Sequence, residues 1–350
     1  MKPRKGLNVP LITALDDEGK IIEADQRRII RHTVQNGFGT NSIFLAGTTG
    51  EFNRLTNDQR QQLFKIGVEE TRRINAELPD AFLPVEAWVG VTAETKAETL
   101  ANIEYAREIG SDMAVIAPLT IADLAPEKIV DFFEREIAQI VGAENPLPIS
   151  LYDNPDIAAA PEVMGNMPVE LIEKLRQLPF VVCLKASTTR AVLQNYLNAF
   201  SGEDEKPAFD IYFGNAPLMF EIDEMRREAG MKEHQVAGVV SGTANLFPRE
   251  WQQAWQAVAS GNQALIDAYR DAFADFERLT FSANGQYVTS KMMAGIKQGL
   301  YYQGIISTPY VGKGTPELTP DEAEKLNEGL EKVFEKLRRT VNPQTLSMYA

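Results

Sequence analysis

Short apolar runs alternate with longer amphipathic stretches along most of the chain. The runs are rich in Val, Ile, Leu, Phe and Tyr, which predicts buried strands, and the stretches between them have helical periodicity. Eight strands that each precede a helical segment are typical of an all-parallel sheet. The candidate strands are 8–14, 42–46, 84–91, 113–117, 148–152, 180–184, 209–213 and 236–241.

Several helical stretches begin or end at recognisable signals. The stretch 24–35 stops before Gly37, the stretch 92–109 stops at Gly110, and Asn57 is expected to cap a helix that runs to about residue 78. We expect residues 249–279 to form the eighth barrel helix. The other predicted helices are 125–141, 168–178, 189–200, 217–229, 286–302 and 320–340.

This order of elements fits either a doubly wound sheet or a closed barrel. The count of eight strands and the lack of a dinucleotide-binding fingerprint after the first strand favour the barrel. The predicted fold is therefore α/β, a (β/α)8 TIM barrel with a C-terminal helical extension. We expect residues 1–280 to form the barrel catalytic domain and 281–350 the helical extension, with 201–207 as a charged surface insertion.

Composition and charge narrow the possible partners. The chain has 350 residues, 44% hydrophobic and 24% charged, and a net charge of −14. A negative field disfavours nucleic acid and anionic membrane surfaces, so neither is expected as a partner. No apolar run approaches the roughly 18 residues that suggest a membrane span. The first residues lack a signal-peptide pattern, so a cytoplasmic location is expected.

The sequence offers few ligands for metals or cofactors. Cys183 is the single cysteine, and His32 and His234 lie far apart without metal-ligand spacing. No phosphate-binding loop motif is present. We therefore expect no metal and no cofactor, and any chemistry must come from ordinary side chains.

Lys185 lies at the end of the sixth predicted strand, where a barrel of this kind has its active site. Alternation places Val181, Cys183 and Lys185 on one face, with Val182 and Leu184 on the other. If the first face points inward, Lys185 lies in the barrel mouth, where desolvation lowers a lysine pKa and favours the free amine that attacks carbonyls. The alternative is a lysine that extends to solvent.

Two other strand ends carry candidate chemistry. Tyr152 ends the fifth strand, and its phenol can transfer protons beside an amine, although it can also simply cap the core. The segment Gly47-Thr48-Thr49-Gly50-Glu51 follows the second strand, and its backbone N–H groups and hydroxyls can hold a carboxylate. A plain Gly-Thr turn is the alternative for that segment.

Taken in order along roughly residues 7–315, these segments resemble the dihydrodipicolinate synthase and N-acetylneuraminate lyase family of class I aldolases. The resemblance implies the barrel, a homo-oligomer (tetramer or dimer) and a pyruvate-like 2-oxo acid substrate. The segments that carry it are Gly47–Glu51, Tyr152 with Pro155, Leu184–Ser187, Gly238–Asn245, Lys291–Gly299 and Ile306–Tyr310.

The resemblance also implies roles for individual residues. Lys185 would form the imine and Tyr152 would transfer protons. We expect Thr49 to be the third catalytic residue. Thr48 and Thr49 would bind the substrate carboxylate. The full set of expected substrate-binding residues is Gly47, Thr48, Thr49, Gly214, Ser241 and Asn245.

Departures from the family pattern bear on the substrate. The stretch after Tyr152 lacks the arginine that dihydrodipicolinate synthases normally have there, and Asp156 would repel a second carboxylate. The stretch 117–120 lacks the usual tyrosine. We therefore expect aldol cleavage, aldol condensation or dehydration of a 2-oxo-3-deoxy sugar acid, with Asp153 and Thr120 as binders of its hydroxyls. The alternatives are dihydrodipicolinate synthase activity on pyruvate and aspartate semialdehyde, and a non-catalytic 2-oxo-acid binding or regulatory protein.

Overall fold

Eight parallel strands form a closed barrel in which the first strand pairs with both the second and the eighth. The structure, a computed structural model, describes residues 2–200, 209–230, 236–284 and 287–340. The closed eight-stranded sheet confirms the predicted TIM barrel. The strands are β1 (Gly6–Pro10), β2 (Ser42–Leu45), β3 (Glu86–Gly90), β4 (Met113–Ile116), β5 (Ile149–Asp153), β6 (Val181–Ala186), β7 (Asp210–Phe213) and β8 (Val236–Val240).

Helices follow the strands and enclose the barrel. They are α1 (Glu23–Val34), α2 (Asn57–Glu77), α3 (Lys96–Glu108), α4 (Ile129–Phe132), α5 (Ala138–Val141), α6 (Val169–Leu175), α7 (Arg190–Phe200), α8 (Ile222–Glu228), α9 (Pro248–Ala259), α10 (Gln263–Leu279), α11 (Met292–Tyr302) and α12 (Pro320–Thr340). A π-helical stretch, Phe133–Ile137, joins α4 to α5. Short 3₁₀ turns occupy Gln35–Gly37, Phe52–Arg54, Pro118–Thr120, Pro126–Lys128, Pro155–Ile157, Ala216–Glu221 and Thr243–Asn245.

The start of α2 differs from the prediction by one residue. Thr56, not Asn57, is the N-cap: its hydroxyl accepts from the backbone N–H of Gln59, and the Gln59 side chain accepts from the backbone N–H of Thr56. This reciprocal pair satisfies two N–H groups that a helix start otherwise leaves unbonded. The Asn57 side chain instead accepts a hydrogen bond from Asn102 on α3.

Apolar side chains form two separate clusters. The larger lies between the strands and the helices, and the smaller fills the inside of the barrel. Inside, the Trp88 and Tyr212 rings meet edge to face with centroids 5.1 Å apart, and the Tyr212 hydroxyl donates to the carbonyl of Arg4, just before β1. The amino-terminal end of the barrel is thus closed by side chains. The inner cluster consists of Phe44, Trp88, Met113, Val115, Ala117, Tyr152, Cys183, Tyr212, Ala237 and Val240.

The predicted alternation of inward-facing and outward-facing side chains along β6 is correct at the carboxyl end of the strand and wrong at its amino end. Val181 belongs to the outer cluster, whereas Val182 packs against the inner one. The reason is a register shift between β5 and β6: Ile149 pairs with Val181, but Ser150 pairs with Cys183. Such a bulge reverses the facing of one residue. Beyond it, Cys183 and Lys185 point inward as predicted.

The C-terminal third departs from the prediction in two places. The predicted helix 249–279 is two helices, α9 and α10, which separate around Gly261, where φ is +66°. The predicted helix 286–302 begins only at Met292. Before it, β9 (Phe281–Asn284) and β10 (Tyr287–Ser290) form an antiparallel pair, since residues such as Tyr, Val and Thr favour strands.

The predicted C-terminal helices are present. Helix α12 packs against α10 and α11. Among the described residues, no helix combines the length and apolarity needed to cross a membrane. Residues 201–207, His234 and Gln286, about which predictions were made, lie outside the described residues, and the division into two domains at residue 280 stays a prediction.

Candidate active site

A cavity of about 400 Å³ opens at the carboxyl ends of the barrel strands. Its wall draws on the loops after β2, β5, β6, β7 and β8, and on α10 and α11. A parallel barrel brings all of these segments to one face, which is why residues distant in sequence meet here. The wall consists of Pro10, Thr48, Thr49, Tyr152, Asn154, Asp156, Lys185, Ser187, Gly214–Pro217, Val240–Thr243, Glu277, Met292 and Met293.

Lys185 lies at the bottom of this cavity and is only 5% exposed. Its Nζ is 3.5 Å from the centroid of the Tyr152 ring and 5.0 Å from that of Phe44. Burial lowers the pKa of the Lys185 ammonium, and the nearby Tyr152 phenol opposes this only in part. The surroundings therefore favour the neutral amine, which is the nucleophilic form.

Tyr152 is next to Lys185 because β5 and β6 pair these two residues directly. Its hydroxyl is 3.0 Å from Thr48 Oγ1 and accepts a hydrogen bond from Asn154 Nδ2. Burial acts to raise the pKa of the phenol, but the positive charge that Lys185 carries when it is protonated, with hydrogen bonds from Thr48 and Ser187, lowers that pKa overall. A phenol held in this way can pass protons to and from groups bonded to Lys185.

The loop after β2 brings Thr48 and Thr49 to the cavity through an unusual backbone path. Ala46 and Glu51, at its two ends, have φ of +51° and +57°, a region that side chains other than Gly rarely adopt. At Gly47 a Cβ would lie 2.5 Å from the Phe44 ring, so no larger residue fits. Gly47 itself lies beneath the cavity wall rather than in it.

The opposite wall contains Gly214 and Ser241, as predicted. The backbone N–H of Gly214 donates to the Ala186 carbonyl, and a Cβ on Gly214 would lie 2.1 Å from Ser187 Oγ. This glycine therefore leaves the space that Ser187 occupies. The Ser241 hydroxyl is 3.1 Å from that of Thr243.

Besides Gly47, three predicted site residues do not line the cavity: Asn245, Asp153 and Thr120. Asn245 is fully buried; its Nδ2 donates to the carbonyls of Pro10 and Gly242, and its Oδ1 accepts from Ile12. It fixes the loop after β8 against β1.

Asp153 is buried, with only 1% of its surface exposed. Its carboxylate accepts hydrogen bonds from the Tyr196 hydroxyl, Asn166 Nδ2 and the backbone N–H of Met167. The expectation that it binds substrate hydroxyls is therefore wrong, since strand alternation points it away from Tyr152 and Lys185. Thr120 borders a separate cavity of about 360 Å³.

The structure adds site residues that sequence reasoning did not assign. Asn154 and Ser187 directly follow β5 and β6, so the rule that strand ends carry the site could have found them. Glu277, on α10, carried no such signal. Burial raises the pKa of the Glu277 carboxyl, and no described residue forms an ion pair with it. Asp156 shares the outer part of the wall and also borders the separate cavity.

In the described part of the chain, no three His, Cys, Asp or Glu side chains come together as a possible metal site. Cys183 lies beneath Lys185, fully buried, with its Sγ 3.7 Å from Met113 Sδ. Burial raises the pKa of its thiol, so the reactive thiolate is disfavoured.

A model of the dihydrodipicolinate synthetase family matches residues 3–338. The chain belongs to this family. As a member of the dihydrodipicolinate synthetase family it is a lyase, and its closed barrel fits that assignment.

Curated relatives in this family include 4-hydroxy-tetrahydrodipicolinate synthases. That of Thermoanaerobacter sp. (strain X514) is 26% identical over 267 residues, 76% of this chain and 77% of the relative. That of Acidiphilium cryptum (strain JF-5) is 26% identical over 263 residues, 72% of this chain and 75% of the relative.

Solved structures share the fold at lower identity. Dihydrodipicolinate synthase from Bacteroides thetaiotaomicron has a TM-score of 0.77 and 21% identity, covering 95% of this chain and 99% of that one. YagE from E. coli K12, solved in complex with pyruvate, has a TM-score of 0.75 and 17% identity, covering 94% and 98%. CdNal from Clostridium difficile, solved with mannosamine, has a TM-score of 0.73 and 17% identity, covering 94% and 99%.

Proposed function

We propose that this lyase forms an imine between Lys185 and a 2-oxo acid such as pyruvate, and that it cleaves, forms or dehydrates a 2-oxo-3-deoxy sugar acid through that imine. One observation supports this most directly: a buried lysine amine lies 3.5 Å from the ring of a tyrosine whose hydroxyl contacts Thr48. Lysine, phenol and threonine hydroxyl together supply the nucleophile, the proton carrier and a donor to the substrate.

The first steps use the Lys185 amine and Tyr152. The neutral amine attacks the C2 carbonyl, and the carbonyl oxygen takes a proton from the Tyr152 hydroxyl. The nitrogen of the adduct returns a proton to the phenolate, and the restored phenol protonates the C2 hydroxyl of the carbinolamine, which leaves as water and gives the iminium. Thr48 and Thr49 hold the substrate carboxylate meanwhile, with their hydroxyls as donors.

The iminium then accepts the electrons of a neighbouring bond. In cleavage, a proton leaves the C4 hydroxyl, the C3–C4 electrons form an enamine, and an aldehyde departs. Protonation at C3 and hydrolysis then release pyruvate and restore the amine. In dehydration, a proton leaves C3 and the C4 hydroxyl departs as water. The same phenol can carry these protons because it remains beside the imine nitrogen.

The wall of the cavity favours an uncharged, hydroxylated distal end over a carboxylate. Among the described wall residues, Lys185 is the single Lys or Arg, whereas Asp156 and Glu277 are both acidic. A distal carboxylate would therefore meet acidic side chains and no cationic counter-ion in this wall. This is the reason to favour a sugar acid over aspartate semialdehyde.

Synthesis of 4-hydroxy-tetrahydrodipicolinate remains the second candidate, because the curated relatives carry that name. The expected alternative of a non-catalytic 2-oxo-acid binding protein does not fit membership of a lyase family. A binding site alone also does not require a buried amine next to a phenol.

Borohydride reduction with pyruvate tests the imine. We expect mass analysis of the digested protein to show one reduced pyruvate adduct, on the peptide that contains Lys185. Omission of either pyruvate or borohydride is the control. A protein that gives no adduct, or an adduct on another lysine, contradicts the proposed function.

The substrate class is tested with two series of 4-hydroxy-2-oxo acids matched in length, one ending in CH₂OH and one in a carboxylate. Release of pyruvate and loss of water are measured on each. We expect kcat/KM to be about tenfold or more higher for the uncharged series, because the carboxylate lacks a counter-ion. Equal or higher values for the carboxylate series, or formation of the cyclic product from aspartate semialdehyde, favour the synthase.

We also propose a cytoplasmic homo-oligomer, a dimer or tetramer. Tyr301, Tyr302 and Tyr310 support the oligomer, since they are 45–50% exposed in one C-terminal region. Light scattering after size-exclusion chromatography measures the assembly directly, and a monomer at micromolar concentration would contradict it.

A further inference from the structure

Glu51 and Lys297 form a buried ion pair behind the active-site cavity. The carboxylate oxygen Oε2 and Nζ are 2.5 Å apart, and the two side chains are 1% and 0% exposed. Neither residue lines the cavity. The pair is therefore outside the group of residues that contact a bound substrate.

Further hydrogen bonds tie both side chains to one segment of backbone. Glu51 Oε1 accepts from the backbone N–H of Gly312 at 2.7 Å, and Lys297 Nζ donates to the carbonyl of Tyr310 at 2.8 Å. The loop after β2, helix α11 and the segment 310–312 are thus joined at one point. Arg54 adds an outer link, from its guanidinium to the Gly314 carbonyl.

The position of Glu51 in the chain gives this pair its significance. Glu51 ends the loop that contains Thr48 and Thr49, and its backbone N–H donates to the Thr48 carbonyl at 3.0 Å. Its φ of +57° is a conformation that a non-glycine residue holds only when its surroundings impose it. The ion pair and the bond from Gly312 are contacts that impose it.

A buried ion pair is an expensive way to stabilise a fold, because apolar residues of similar size often stabilise it as well. Charge pairs do, however, fix one geometry, since each polar atom needs its own partner. Here the geometry that is fixed is that of the loop with the two threonines.

We propose that the Glu51–Lys297 pair is a positioning device that holds the hydroxyls of Thr48 and Thr49 where they bind the carboxylate of the 2-oxo acid. The inference rests on the proposed function, since it assigns the loop its ligand. Helix α11 would then contribute to substrate binding in two ways. Met292 and Met293 form part of the cavity wall, and Lys297 acts from behind it.

The test measures the pyruvate concentration that gives half-maximal trapping by borohydride, together with the trapping rate at saturating pyruvate. For Glu51→Gln we expect the half-saturating concentration to rise about tenfold, because the freed loop must be ordered again on binding. The rate at saturation should stay within about twofold of wild type, because Lys185 and Tyr152 are unchanged.

Glu70→Gln is the matched control. Glu70 is 2% exposed, nearly as buried as Glu51, and pairs with Arg27 and Arg31, but it lies between α1 and α2, away from the cavity. We expect Glu70→Gln to lower the melting temperature without changing the half-saturating pyruvate concentration. A purely structural role for Glu51 would give the same pattern in Glu51→Gln.

The double variant Glu51→Gln with Lys297→Met covers the case in which a single change leaves one buried charge unpaired and prevents folding. It removes both charges, and we expect it to fold and to show the raised half-saturating concentration. If either the single or the double variant folds and has the half-saturating pyruvate concentration of wild type, the proposal is overturned. It is also overturned if both of these variants fail to fold while Glu70→Gln folds. If wild-type protein gives no Lys185 adduct, the proposed function has failed instead.

Discussion

Two buried lysines lie near the mouth of the barrel, and they differ in their partners. Lys297 contacts the Glu51 carboxylate and the Tyr310 carbonyl. Lys185 contacts the faces of the Tyr152 and Phe44 rings, and no described carboxylate pairs with it. Burial lowers the pKa of both ammonium groups, but only for Lys297 does a carboxylate oppose the shift.

Burial alone does not make a lysine a nucleophile, because the partner of the amine also acts on its ionisation. A carboxylate partner stabilises the ammonium form and occupies its hydrogens, so Lys297 is suited to hold segments together. A phenol beside an open cavity leaves the amine free to lose its proton and attack. Under the proposed function, the neighbours decide the role of each lysine.

Exchange of each lysine for methionine separates the two roles. We expect Lys185→Met to lower turnover at least about 10³-fold and to abolish the borohydride adduct, because the nucleophile is gone. Lys297→Met should still give the adduct on Lys185 at saturating pyruvate. Steady-state turnover and mass analysis of the digested protein are measured for both variants. An adduct that persists in Lys185→Met would show that the wrong lysine has been assigned.

Removal of the Tyr152 hydroxyl tests the neighbour that Lys185 has and Lys297 lacks. We expect Tyr152→Phe to lower kcat about 10²-fold to 10³-fold, because proton transfer loses its carrier. Steady-state kinetics on the preferred substrate measure this.

Tyr212→Phe is the matched control for that change. Tyr212 is also paired with Lys185 across the sheet, but its hydroxyl bonds to Arg4 at the other end of the barrel. Its loss should lower stability by about 1 kcal/mol and leave kcat unchanged. Equal kinetic effects in the two variants would remove Tyr152 from the mechanism.

The pH dependence of trapping tests the ionisation of Lys185. The amine is nucleophilic only when deprotonated, so the trapping rate should rise about tenfold per pH unit below the lysine pKa and then level off. Because burial lowers that pKa, the levelling should occur below the value of about 10.4 for a free lysine. A rate that still rises near pH 10.4, measured at saturating pyruvate, would show that Lys185 is not desolvated as described.

Much of the fold was predictable because strands and helices have different periods. Each of the eight barrel strands overlaps its predicted range, and the closed sheet follows from their number. Residues at strand ends, such as Lys185 and Tyr152, were found because a barrel gathers these ends at one face. The break at Gly261 was missed, because one glycine within a helical pattern does not by itself end a helix.

The rest of the site depends on contacts that local pattern does not encode. Asn245 follows β8 in sequence, yet its amide binds the backbone of β1 instead of facing the cavity. Asp153 was expected to bind substrate hydroxyls, but strand alternation turns it to Tyr196. The partnership of Glu51 with Lys297 needs the folded chain, since nothing near either residue indicates the other.

The position of Lys297 late in the chain has a consequence for synthesis. A ribosome completes Lys185 and Tyr152 well before it makes α11, which supplies Met292, Met293 and Lys297. Until then the cavity around the Lys185 amine lacks Met292 and Met293, and Glu51 lacks its ion-pair partner. Under the proposed function, the amine would begin to trap oxo acids only after α11 has emerged and folded back, so a half-made polypeptide would be spared that reaction.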